Sequence, residues 1–193
     1  MFRKKLKRYI SHRKPLRFSV HTWPQRITLT IITLLACVGG LYLSIGHLFY
    51  INYTDSAPQG IYMVVPGKEA LTYGDYAVVH IPMAIPALHV PADYLIIKKV
   101  QGLPGDTFTA TPQTVAANGR VYPYFEKQGL PHLLHLGKQI VPQGTLLFLN
   151  DPPISLDSRY LGPIPQALVV HKIIPVLEFK TINDIYQRIA SIL

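Results

Sequence analysis

Residues 94–106 read Tyr94-Leu95-Ile96-Ile97-Lys98-Lys99-Val100-Gln101-Gly102-Leu103-Pro104-Gly105-Asp106. The opening run is rich in branched aliphatic residues and stops at turn material. In Leu103-Pro104-Gly105-Asp106 proline stands second and glycine third, which suits a type II turn: proline presets one backbone angle and glycine tolerates the positive one. Similar short runs occur at Ile61–Val65, Tyr76–Ile81, Gly119–Tyr122, Thr145–Leu149 and Leu168–Phe179, among 17 prolines and 13 glycines. Short strands at frequent turns predict a mainly β domain, a sandwich or barrel-like body. The tail differs. Ile182, Ile185, Ile189 and Ile192 recur at helical spacing and predict a short amphipathic helix over residues 181–193, packed on the domain or lying at a membrane surface.

The chain has 193 residues and a formal charge of +9, and the charge is unevenly placed. Arg3, Lys4, Lys5, Lys7, Arg8, Arg13, Lys14, Arg17 and Arg26 all precede the first acid, Asp55. From residue 27 onward, basic and acidic residues number ten each. A nucleic-acid-binding domain carries its positive charge through its folded body, so nucleic acid is not an expected partner. Residues 27–51, ITLTIITLLACVGGLYLSIGHLFYI, hold no Asp, Glu, Lys or Arg. A bilayer core takes about 20 apolar residues in a helix, so this stretch is expected to span. It is too long for the apolar part of a cleaved signal, which runs about 7–15 residues. Lys and Arg are retained on the cytoplasmic side, which predicts a single-pass protein of the bacterial inner membrane with its N-terminus cytoplasmic and the rest periplasmic. The expected segments are a basic cytoplasmic terminus (1–26), a transmembrane helix (27–51), a periplasmic domain (52–180) and the terminal helix (181–193).

Cys37, the single cysteine, falls inside the apolar stretch, so the exported part has neither a disulfide framework nor a thiol nucleophile. His132 and His135 share an HxxH spacing, but GLPHLLHLG reads as a loop and lacks the acid of a zinc protease motif. No metal or cofactor is expected.

Serines remain. Ser56 lies five residues past the apolar stretch, in Thr54-Asp55-Ser56-Ala57-Pro58-Gln59-Gly60-Ile61-Tyr62, where Pro58 and Gly60 fix a loop before a strand. A hydroxyl is a weak nucleophile and needs a base. In a strand over 94–101, alternate side chains share a face. Tyr94, Ile96, Lys98 and Val100 form the more apolar set; Leu95, Ile97, Lys99 and Gln101 form the other. A buried lysine loses affinity for its proton and becomes a general base near neutral pH. The competing assignment makes both lysines solvated edge charges that discourage strand pairing.

Together these segments resemble the type I signal peptidases, membrane-anchored serine proteases of the Ser-Lys kind. Ser56-Ala57-Pro58-Gln59-Gly60 resembles the family's nucleophile box and residues 98–106 its lysine box. Leu149-Asn150-Asp151 with Ser155–Ile164 is similar to its third block. Thr54, the Pro-x-Gly-x-Tyr continuation, the insertion after the lysine box and Asp157-Ser158-Arg159-Tyr160-x-Gly162-Pro163-Ile164 resemble more narrowly the TraF-type peptidases of conjugative transfer. The chain departs from the general pattern at Ala57, where methionine is usual, and at Asn150-Asp151-Pro152-Pro153, in place of Gly-Asp-Asn. The resemblance implies that Ser56 is the nucleophile and Lys98 the general base, and that Thr54 and the Ser56 N–H hold the oxyanion. It also implies that Ser155 orients the lysine, and that Asp157 and Arg159 support the site. The implied substrates are exported precursors such as a pilin, cleaved after small residues, or joined into a ring if an amine rather than water takes the acyl group. The alternative is a non-catalytic membrane-anchored component of a secretion or conjugation apparatus.

Overall fold

The computed structural model describes residues 22–67, 69–126 and 128–190, without the side chains of Tyr186 and Ile189. Most of the basic segment 1–26, and Ile192 in the tail, lie outside the described residues. The chain falls into two compact units divided after Gly46.

The first unit contains helix α1 (Trp23–Ile45), long and apolar enough to cross a membrane. It starts earlier than the expected Ile27. Gln25 accepts a hydrogen bond from the Thr22 N–H, and Pro24 occupies the first turn, where its missing N–H costs nothing. Thr28, Thr30 and Ser44 return their hydroxyls to carbonyls four residues back, which matches those three donors within the helix. The helix also ends earlier than residue 51. Gly46–Leu48 form a 3₁₀ turn, and Phe49–Ile51 belong to a strand. Hydropathy alone does not separate the end of an apolar helix from an apolar strand; the partners of residues 49–51 decide it.

The second unit is mainly β, as expected. Its elements are β1 (Phe49–Asn52), β2 (Gly60–Val64), β3 (Tyr76–His80), β4 (Leu95–Gly102), β5 (Thr107–Ala110), β6 (Thr114–Ala117), β7 (Arg120–Pro123), β8 (Gly137–Ile140), β9 (Thr145–Phe148), α2 (Ser158–Leu161), β10 (Ile164–Pro165), β11 (Val169–Glu178) and α3 (Phe179–Ala190). A seven-stranded antiparallel sheet runs β1-β2-β11-β3-β4-β9-β10, and a four-stranded one runs β7-β6-β5-β8. The turn at 103–106 closes as anticipated: the Asp106 N–H reaches the Leu103 carbonyl at 3.0 Å, with Gly105 at φ +92°. Strands β1, β5, β6, β8 and β10 and helix α2 were not expected from the sequence.

Strand β9 joins the two cores. Leu146 and Phe148 pack with Val79, Val100 and Tyr160, while Leu147 and Leu149 turn the other way onto Phe108, Val115 and Tyr122 of the smaller sheet. Both faces are covered, which explains the unbroken Leu-Leu-Phe-Leu run. Each fully buried Leu or Phe here contributes about 1.5–3 kcal/mol of transfer free energy. Two glycines are required by close approach. A Cβ on Gly60 would stand 2.1 Å from the Leu177 carbonyl oxygen on β11, and one on Gly102 would stand 2.9 Å from Leu147 Cβ. Helix α3 begins at Phe179, whose N–H bonds the Gln59 carbonyl, and leaves Ile182 and Ile185 exposed.

Candidate active site

The loop 53–59 joins β1 to β2 and carries Ser56 at its turn. Asn52, buried at the last rung of that hairpin, organises the loop. Its Nδ2 donates to the carbonyls of Thr54 (3.0 Å), Ala57 (3.0 Å) and Pro58 (3.1 Å), and its Oδ1 accepts from the Thr54 N–H (3.1 Å) and Thr54 Oγ1 (2.8 Å). Tyr62 donates its hydroxyl to the Pro58 carbonyl from the core side (2.6 Å). Ala57 is buried beneath, and Ser56 Oγ lies 2.9 Å from Thr54 Oγ1.

Lys98 sits in β4 opposite Ala77 of β3 and is 1% exposed. The alternation that put it on the apolar face is the one the sheet adopts. Burial pulls its pKa from 10.5 down to about 8; Asp157 raises it and Arg159 lowers it further. Lys98 Nζ donates to Ser155 Oγ at 2.9 Å, and both residues are buried. Lys99 points the other way, over the Tyr76 ring and toward exposed Asp151 at 4.0 Å.

Asp157 is fully buried and caps α2 by accepting from the Arg159 N–H (3.1 Å). The same carboxylate takes Arg159 Nε (2.9 Å) and Nη2 (2.8 Å), a bidentate pair excluded from water. The guanidinium also donates to the carbonyls of Pro123, Asn150 and Pro152, so its donors are matched by carbonyl and carboxylate oxygens.

Asn150 was left without a role by the sequence, and it joins all three pieces. Its Nδ2 donates to the carbonyls of Ser56 (2.6 Å) and Ile97 (3.1 Å), and its Oδ1 accepts from the Lys99 N–H (2.9 Å). Its own N–H bonds Asp157 Oδ2 at 3.0 Å. Asp151, beside it, is a surface acid paired with Arg120. Asn52 was missed altogether, although Asn52, Thr54 and Ser56 share one side of an extended chain by their spacing of two.

Ser56, Thr54 and Lys98 line one open cleft of about 400 Å³, walled by Tyr53, Ile96, Ile154 and Leu156. Ser56 bonds Thr54 and Lys98 bonds Ser155; the structure brings the expected nucleophile and base to the same cleft rather than to each other. Ser155, Asp157 and Arg159 stand behind Lys98, away from solvent. His132 bonds the Tyr124 hydroxyl. Among the described residues no group of three or more His, Cys, Asp or Glu side chains is placed to hold a metal ion.

A family model described as "Signal peptidase, peptidase S26" matches residues 24–177. No curated protein matches the chain significantly. Among solved structures, the chain is similar to the crystal structure of a signal peptidase I from Enterococcus faecalis V583, at 22% identity over 55% of this chain and 98% of that one, with a TM-score of 0.38.

Proposed function

This chain belongs to the signal peptidase family, peptidase S26, and from that premise we propose that it is a Ser-Lys endopeptidase acting on precursors exported across a bacterial inner membrane. The observation that carries the proposal is a lysine 1% exposed, with its pKa lowered to about 8, lining the same cleft as a loop serine. At neutral pH a useful fraction of Lys98 is the free amine, and the cleft admits an extended peptide to Ser56.

In the proposed reaction the Lys98 amine takes the Ser56 proton as Oγ attacks the scissile carbonyl. The Ser56 N–H, with the Thr54 hydroxyl, holds the oxyanion. Lys98 then gives the proton to the departing amine, leaving an acyl-serine. Ser155 keeps the amine on its bearing, and the Asp157–Arg159 pair fixes the backbone that presents both. Water attacking the acyl-serine gives hydrolysis; an N-terminal amine gives a ring. A conjugative pilin with small residues at the cut is the substrate suggested by the TraF-like motifs. The neutral body and basic terminus support a periplasmic catalytic domain and a cytoplasmic N-terminus, with α1 as the anchor.

The test is precursor processing by the full chain. Ser56→Ala and Lys98→Ala each abolish it, and Lys99→Ala does not. Processing that survives both of the first two substitutions refutes the peptidase and favours a scaffold. Mass spectrometry of the product separates the two fates, since a cyclic product is one water lighter than its linear counterpart.

A further inference from the structure

We infer that Asn52 is a positioning residue for the nucleophile, acting through the Thr54 hydroxyl. The inference follows from counting donors. The Nδ2 of Asn52 faces three carbonyl oxygens, those of Thr54, Ala57 and Pro58, which can only accept. Turning the amide over would bring its oxygen against all three. The orientation is therefore fixed, and Oδ1 must be the atom that meets Thr54.

Oδ1 has no proton, so at 2.8 Å the Thr54 hydroxyl donates to it. A hydroxyl has one proton. Thr54 Oγ1 has none left for Ser56 Oγ, 2.9 Å away, and that contact must run from Ser56 to Thr54. The resting site is thus a directed chain, Ser56 to Thr54 to Asn52, with its direction set at the buried end. It holds the Ser56 side chain in one rotamer and leaves both lone pairs of its Oγ free in the cleft that contains Lys98.

The same arrangement readies Thr54 for its second task. Oδ1 also accepts the Thr54 N–H at 3.1 Å, so it stays paired when the hydroxyl turns toward an oxyanion. No buried acceptor is orphaned by that rotation, which keeps its cost low. Asn52 touches no reacting atom; its influence passes through Thr54 and the loop it ties.

The role of Asn52 presupposes Ser56 as nucleophile, and the experiment separates the two. Peptide cleavage by the full chain in detergent is measured for Ser56→Ala, Thr54→Val, Thr54→Ser, Asn52→Ala and the Asn52→Ala/Thr54→Val double variant. In Asn52→Ala the vacated space admits water to the three carbonyls. Thr54→Val should lower kcat by roughly 100-fold, the scale for one lost hydroxyl at such a site, with KM within about twofold, and Thr54→Ser should restore most of it. Asn52→Ala should also act on kcat, and the double variant should fall no more than about threefold below the weaker single, because both remove the same chain. Losses that multiply, an effect confined to KM, or an Asn52→Ala enzyme with unchanged kcat overturns the inference while leaving an inactive Ser56→Ala in place. Should Asn52→Ala not fold, neutron diffraction on the wild-type chain decides. Deuterons on the Ser56–Thr54 and Thr54–Asn52 lines support the chain, and a Thr54 deuteron directed at Ser56 refutes it.

Discussion

The buried lysine makes its own pH signature. With a pKa of about 8 in place of the ordinary 10.5, roughly a tenth of Lys98 is free amine at pH 7, against about one part in three thousand for a solvated lysine. Activity that depends on the free amine should therefore rise about tenfold per pH unit below 8 and level off above it. Stability moves the same way. The unfolded chain holds the proton up to about 10.5 and the folded one releases it near 8. Between those values the unfolded state binds more protons, so stability rises with pH across that window, by about 3 kcal/mol as an order of magnitude, and below 8 the full cost of burying the charge remains. Lys98→Met, close in length and uncharged, should abolish cleavage yet stabilise the fold at pH 7 by about 1–2 kcal/mol, after subtracting the lost bond to Ser155. The gain should vanish near pH 9, and at pH 10.5 the variant should be the less stable of the two by about the worth of the lost bond, roughly 1–2 kcal/mol. The assays are initial rates on a quenched peptide from pH 6 to 10 at constant ionic strength, and thermal unfolding of both proteins at pH 7 and 10. A flat rate profile, a midpoint near 10, or a methionine variant less stable than the parent at pH 7 would refute the idea that desolvation tunes this lysine.

Four further substitutions test the surroundings. Asp157→Asn leaves the Arg159 guanidinium buried without its counter-charge, and should cost about 3–5 kcal/mol in denaturant unfolding; because Asp157 raises the Lys98 pKa, any active fraction should show its rate midpoint at lower pH. Asn150→Leu strips partners from the Ser56 and Ile97 carbonyls and the Lys99 N–H, and should lower stability by about 1–3 kcal/mol per buried group left unpaired, with kcat falling alongside. Gly60→Ala drives a Cβ to 2.1 Å from the Leu177 carbonyl oxygen and should separate β2 from β11, seen as a lowered Tm and loss of cleavage. Lys99→Ala removes only a partly exposed, long ion pair and a ring contact, and should change stability by less than about 1 kcal/mol, with cleavage retained.

A strand over 94–101 was legible because alternation and branched side chains act locally, and the following turn because Pro104 and Gly105 are tied to backbone angles. The same alternation placed Lys98 and Lys99 on opposite faces, and the sheet keeps that division. The start and end of α1 were less legible. Residues 49–51 are apolar enough to continue the helix, and only pairing with β2 makes them a strand. Short β5, β6 and β8 were hard to read because each is four residues long, too short to display alternation, and β8 is held by β5, which is distant in sequence. Asn52 went unnoticed, and Asn150 was noticed but left without a role, for a related reason. An asparagine in a loop or at a strand end is ordinarily a turn former; nothing local tells that its amide will meet the carbonyl of a serine 94 residues away, as that of Asn150 does.

By itself the sequence determined what depends on side-chain chemistry and near neighbours: the uneven charge, the apolar helix, the strand periodicity, the absence of a thiol beyond Cys37, and Ser56 and Lys98 as the pair to watch. Tertiary structure alone decided how those residues are held. Burial of Lys98 needs β3 beside it and Ser155 brought against it from a distant segment, the drop in its pKa is a property of that enclosure, and the direction of the Ser56–Thr54–Asn52 chain depends on three carbonyls that converge only when the loop closes. Such effects depend on solvent exclusion and on donors meeting acceptors in space, and no local pattern encodes either.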